Sequence, residues 1–118
     1  LAREISKETG RRLVLHGTSS VNSDQIEYLF SDGIAKVNIW TTLERDTSPV
    51  LLEDMVRNAA KIAGSEKAGK MVDEGLLGAK ADVSSSPALS HFTTVYRQDI
   101  IFSEMKQIVS KYLELWYQ

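Results

Sequence analysis

Two short apolar runs, Leu13-Val14-Leu15-His16 and Ile34-Ala35-Lys36-Val37-Asn38-Ile39-Trp40, constrain the fold more than any other feature of the chain. Each is short and closes on a polar turn, His16-Gly17-Thr18-Ser19-Ser20 and Thr41-Thr42, so both read as strands. A nearly unbroken apolar strand is one covered on both faces, as in parallel sheets. Between the runs, Asn22 or Ser23 caps a helix expected to extend through Phe30, with Asp24 and Glu27 near its positive end and Ile26, Leu29 and Phe30 facing inward. Gly33 ends that helix. Strand, helix and strand predict two parallel neighbours joined by a right-handed crossover.

Two parallel strands leave two unpaired edges, which another polypeptide segment must complete. The chain's 118 residues cannot supply it as a barrel of roughly 250 residues would. Around the strand pair, Leu1 to Thr9 reads as a helix tail ended by Gly10, and Ser48-Pro49 as the start of a helix that carries Leu52, Met55, Val56, Ala59 and Ala63 to Gly64. Residues 64–95 read as a short helix and an exposed, mobile loop. Ile101, Met105, Ile108, Tyr112 and Trp116 then mark a long amphipathic helix over 96–118. The whole is one segment, divided as 1–63, 64–95 and 96–118. A start at Leu1, inside a helix and without an initiator methionine, reads as a piece of something longer.

Fourteen Lys and Arg against sixteen Asp and Glu give a net charge of −2, without the basic field that holds nucleic acid or an anionic membrane. The chain has no cysteine, which excludes disulfides, thiolate metal sites and cysteine nucleophiles. No apolar run approaches the roughly 18 residues that span a bilayer. The expectation is a cytoplasmic protein.

The chemistry concentrates at the strand ends. Ligands of parallel α/β sheets sit at the carboxyl ends of strands, which is where His16 stands, followed by a glycine and three hydroxyl residues. Imidazole is a common metal ligand, and small residues ahead of a helix let backbone amides approach an anion. The competing reading has one ring nitrogen of His16 bonded to a carbonyl. Asn38 holds the matching place on the second strand, where its amide can both donate to and accept from a hydroxyl-ketone; alternatively it satisfies local backbone groups. Arg97 can clamp a phosphate or stand as a surface charge. His91 reads as a solvated loop residue, and Lys61, Lys67, Lys70 and Lys80 as a solvated face.

Taken together, residues 13–20, the helix after Asn22, and residues 34–41 closely resemble the last two strands of class II, metal-dependent fructose-bisphosphate aldolases, with the likeness covering residues 1 to 62. The resemblance implies the C-terminal portion of a (β/α)8 TIM barrel, an α/β fold, followed by terminal helices. It implies a zinc-dependent lyase that cleaves fructose 1,6-bisphosphate into dihydroxyacetone phosphate and glyceraldehyde 3-phosphate, or acts on a related ketose bisphosphate. It makes His16 one of three histidines on Zn2+, and puts Gly17, Thr18 and Ser19 in the phosphate loop after the seventh strand. Asn38, Ile39, Trp40 and Thr41 form the matching segment after the eighth, Asn38 facing the enediolate portion of dihydroxyacetone phosphate and Thr41 its phosphate. Arg97 matches the arginine that a neighbouring subunit of a homo-oligomer lends to the far phosphate. Trp40 stands where many members carry aspartate, and Thr18-Ser19-Ser20 where many carry Gly-Ser-Gly.

The family's other two zinc histidines and its catalytic aspartate lie on earlier strands, so the resemblance places no catalytic acid or base in this chain, which alone is expected to be inactive. Its partners are then the sugar phosphate and the remaining barrel segments. The alternative is a noncatalytic sugar-phosphate-binding or assembly module derived from the same barrel.

Overall fold

The computed structural model describes residues 1–117. The elements run in the order α1 (Ala2–Thr9), β1 (Leu13–Leu15), α2 (Ser23–Ile26), β2 (Ile34–Val37), α3 (Trp40–Arg57), α4 (Ala59–Ala63), α5 (Ser65–Asp73), α6 (Leu89–Phe92) and α7 (Thr94–Trp116). They form two compact units: Leu1–Asp46 with the segment that begins at Lys106, and Thr47–Met105. Both α3 and α7 contribute residues to each unit. The last helix was expected to reach Gln118, which lies outside the described residues.

In the first unit β1 and β2 pair in parallel, Leu13 opposite Ile34, Val14 opposite Lys36 and Leu15 opposite Val37, with an irregularity between Leu13 and Val14. They form a two-stranded sheet among the described residues. The expectation of strands covered on both faces fails here: Ile34 is buried and Leu13 and Leu15 half-buried, but Val14 is 45% exposed. The elements of this unit cover one side of β1 only. The linking helix also stops early. After Ile26 the backbone tightens to three-residue bonds, Tyr28 N–H to Gln25 and Leu29 N–H to Ile26, which close turns rather than continue an α-helix. Asn22 sits at the N-cap but makes no side-chain capping bond.

Gly33 fixes the approach of α1 to β2. Its φ is +98°, and a β-carbon placed there would lie 1.9 Å from Ser6 Oγ and 2.5 Å from Ser6 Cβ. The absence of a side chain lets Ser6 Oγ donate to the Gly33 carbonyl at 3.0 Å. The end of α7 closes the unit: Trp116 Nε1 donates to the Ile26 carbonyl at 2.9 Å, its ring meets Phe30 edge-on at 5.1 Å, and Tyr112 stacks on it at 4.8 Å. Such ring pairs add about 0.5–1.5 kcal/mol beyond area burial.

The second strand was expected to reach Trp40 and the next helix to begin at Ser48-Pro49. Instead the helical bonding starts at once, with Leu43 N–H on the Ile39 carbonyl, and α3 runs through Pro49. A proline inside a helix removes one donor, the amide that would reach back four residues to Arg45. The rest of the ladder carries the helix past it.

The second unit is built on small residues. Ala59, Ala60 and Ala68 are buried where α4 meets α5, with Leu77 packed against them. No large side chain is fully buried among the described residues. The helix expected to run to Gly64 breaks at Asn58, and the stretch 64–95, expected to hold a short helix and a mobile loop, is tied to that break through Asp82. Asp82 donates its N–H to the Arg57 carbonyl and accepts the Ala60 N–H, both at 2.9 Å, which pairs the two groups that the break frees. Ala88 N–H bonds the Lys61 carbonyl at 2.9 Å. The Asp82 carboxylate accepts the amides of Ser84 and Ser85 at 3.0 and 3.1 Å. The Ser85 hydroxyl, followed by those two amides, holds its carboxyl down at about 2.

Two expectations about side chains also change here. His91 is half-buried, its ring 5.0 Å from that of Tyr96 and its Nδ1 bonded to Ser90 Oγ, and Lys61 bonds Asn58 Oδ1 at 3.1 Å rather than lying on a solvated face. The stripe of Ile101, Met105, Ile108, Tyr112 and Trp116 is half-buried throughout, as its spacing predicts. No helix among the described residues is long and apolar enough to cross a membrane.

Candidate phosphate-binding site at the strand ends

The ladder continues one bond past the strands, with Asn38 N–H donating to the Leu15 carbonyl at 2.9 Å. That bond brings His16, Gly17, Thr18 and Ser19 to the same end of the sheet as Asn38, Ile39, Trp40 and Thr41. Gly17 has φ +151°, and a β-carbon there would stand 3.9 Å from the Asn38 carbonyl oxygen. Backbone conformation, more than space, asks for glycine at this turn.

The His16 ring is exposed and takes no hydrogen bond among the described residues, so the reading in which a carbonyl holds it does not apply. The Asn38 side chain is half-buried and likewise bonds no described group. Backbone donors surround the pair. Val21 N–H closes a turn on the Thr18 carbonyl at 3.0 Å, but the amides of Ser19, Ser20, Thr41 and Thr42 donate to no backbone carbonyl among the described residues. Those of Thr41 and Thr42 lie in the first turn of α3, where unpaired N–H groups and the helix dipole favour an anion. Ser19, Ser20 and Thr41 are exposed, Trp40 is 67% exposed, and Ile39 is half-buried.

Thr18 differs from its neighbours. It is 3% exposed, and its hydroxyl shares hydrogen bonds with Thr42 Oγ1 at 3.0 Å and Tyr112 OH at 2.9 Å. Sequence alone does not single out Thr42, which reads as part of a polar turn, or Tyr112, which reads as one residue of an apolar stripe. The only hint was a phenol in a stripe otherwise made of aliphatic side chains and an indole.

A chain-wide comparison decides the family. The family model described as fructose-bisphosphate aldolase class-II matches residues 1–114. The chain belongs to that family. The match extends well past the strand-helix-strand unit and takes in α5, α6 and most of α7. Among curated proteins and among solved structures, nothing matches.

No group of three His, Asp or Glu side chains that could hold a metal ion occurs among the described residues. The imidazole of His16 fits one coordination position, and a tetrahedral zinc site needs more. Arg97 lies in the second unit, where its Nη1 donates to the Phe92 carbonyl at 3.4 Å.

Proposed function

We propose that this chain is the C-terminal part of a zinc-dependent class II ketose-bisphosphate aldolase, the last two strands of a TIM barrel with its terminal helices. It works in the cytoplasm as a homo-oligomer and cleaves fructose 1,6-bisphosphate into dihydroxyacetone phosphate and glyceraldehyde 3-phosphate. The observation that carries this reading is the convergence of unpaired amides, a free imidazole and a free carboxamide at one end of a parallel strand pair.

The chemistry follows from those groups. The amides of Ser19, Ser20, Thr41 and Thr42, with the hydroxyls of Ser19 and Thr41, bind the phosphate without lysines, and Gly17 allows it to approach the backbone. Asn38 offers a donor and an acceptor to the adjacent hydroxyl-ketone and orients it. His16 holds one position on the metal, and the remaining ligands come from other barrel segments. When bound, zinc supplies Lewis-acid polarisation of the ketose carbonyl. Arg97 reaches the far phosphate of a neighbouring subunit's substrate. The open strand edges, and large apolar side chains left exposed such as Leu52, Leu76 and Phe102, support completion by further polypeptide.

The test is metal content and cleavage in the assembled enzyme. His16→Ala should lower zinc content and abolish turnover, while the chain alone should show no cleavage. Equal zinc with and without His16 removes it from the site, and parallel assays with fructose and tagatose bisphosphates assign the substrate. The second reading, a noncatalytic sugar-phosphate module, is favoured by one observation: the amides proposed for one phosphate gather at the strand ends, whereas no group of three metal-ligating side chains occurs among the described residues. It predicts phosphate binding with no metal in any assembly.

A further inference from the structure

Thr18, Thr42 and Tyr112 form an unbroken run of hydroxyls, Thr42 to Thr18 to Tyr112, with separations of 3.0 and 2.9 Å. Thr18 and Thr42 are buried, and Tyr112 is half-buried. The run joins three places far apart in sequence: the loop after β1, the first turn of α3, and Tyr112 of α7, which lies 94 residues beyond Thr18. A buried hydroxyl left unpaired costs more than its hydrogen bond gains, so the run specifies one arrangement of the loop.

We infer that Tyr112 is a positioning residue for the phosphate loop, acting through Thr18. This rests on the sugar-phosphate reading of the site. With its hydroxyl committed inward, Thr18 anchors the loop while Ser19 and Ser20, the next two residues, remain exposed with amides that bond no described carbonyl. The same hydroxyl ties that loop to Thr42, whose own amide belongs to the facing set of donors. The run therefore fixes the spacing between the two halves of the anion site. Tyr112 is itself held by its stack on Trp116. Its ring and its hydroxyl thus serve separate purposes, and Tyr112→Phe removes only the second.

The experiment uses the full chain and inorganic phosphate as probe, with hydrogen exchange read amide by amide. Tyr112→Phe should speed exchange at Val21, whose N–H closes the loop on the Thr18 carbonyl, and weaken phosphate binding about 3- to 10-fold, the scale of one lost hydrogen bond. Thr18→Val should do the same, Thr18→Ser should restore the starting behaviour, and the Tyr112→Phe, Thr18→Val pair should cost less than the two changes summed. Unchanged loop exchange and affinity in Tyr112→Phe would overturn the inference. So would faster exchange spread evenly over α1, β1 and the loop, because that reports general loosening. If the starting chain binds no phosphate, the sugar-phosphate reading falls, and loop exchange in Tyr112→Phe then decides the role of Tyr112.

Discussion

The two units each contain a pair of serines in a turn, and the pairs are treated oppositely. In the second unit Ser84 and Ser85 give their amides to the Asp82 carboxylate. In the first, the amides of Ser19 and Ser20 meet no described carbonyl. Counted back from the first serine, the second unit reads Asp82-Val83 and the first reads Gly17-Thr18. One turn carries its own anion, and the other has glycine in that place with a hydroxyl turned inward. An N–H pair that is satisfied internally serves the fold, whereas one left open next to a helix N-terminus can receive a phosphate.

The largest expected effect breaks the scaffold that holds the open turn. Gly33→Ala would put a methyl group on Ser6 and a side chain at positive φ, at a cost of about 2–4 kcal/mol. Melting followed by limited proteolysis should show cleavage sites appearing first in residues 1–46, with Thr47–Met105 slower to be cut. Simultaneous loss in both units would mean that they do not unfold separately.

A second change converts the open turn toward the closed one. Gly17→Asp places a carboxylate two residues before Ser19, as Asp82 stands before Ser84. Phosphate affinity should fall at least about tenfold, equivalent to about 1.4 kcal/mol. Gly17→Asn carries the same backbone strain without the charge, so the difference between the two variants isolates electrostatics and should shrink as salt is raised. Equal losses at all salt concentrations would assign the effect to the backbone alone.

Much of the first unit was legible because periodicity and turn chemistry act locally. Leu13 to Leu15 and Ile34 to Val37 form the expected parallel pair, and Ile108, Tyr112 and Trp116 are half-buried as their helical spacing predicts. The likeness of residues 13–41 to class II aldolases was likewise readable from two strand ends. What could not be read depends on partners distant in sequence. Val14 is exposed because no described element covers its side of the sheet. Pro49 resembled a helix start, yet α3 begins at Trp40, where bonding to the Ile39 carbonyl takes over directly from the strand. The hydroxyl run is invisible in sequence because Thr18 and Tyr112 meet only in the folded chain. Within 64–95 the composition suggests an exposed, mobile loop, but Asp82 is fixed by the helix break at Asn58, which no periodicity announces.

The smallest effect opens the closed turn. The hydrogen bonds from Ser85 and Ser84 hold the Asp82 carboxyl at about 2, below the ordinary value of 3.8. Because the folded value is the lower one, the stabilisation is fully present above pH ~4 and is lost as pH falls through about 2. Asp82→Asn keeps a side-chain oxygen that can accept an amide but removes the charge. It should therefore flatten the acid limb of the second unit's stability between about pH 4 and pH 2 and leave the neutral-pH fold in place. Acid titration of the melting transition, compared between this variant and the starting chain, reads the difference directly. If the two curves stay parallel through that window, the Asp82 carboxylate does not discriminate between folded and unfolded chain, and the closed turn would be held by the backbone bonds of Asp82 to Arg57 and Ala60 alone.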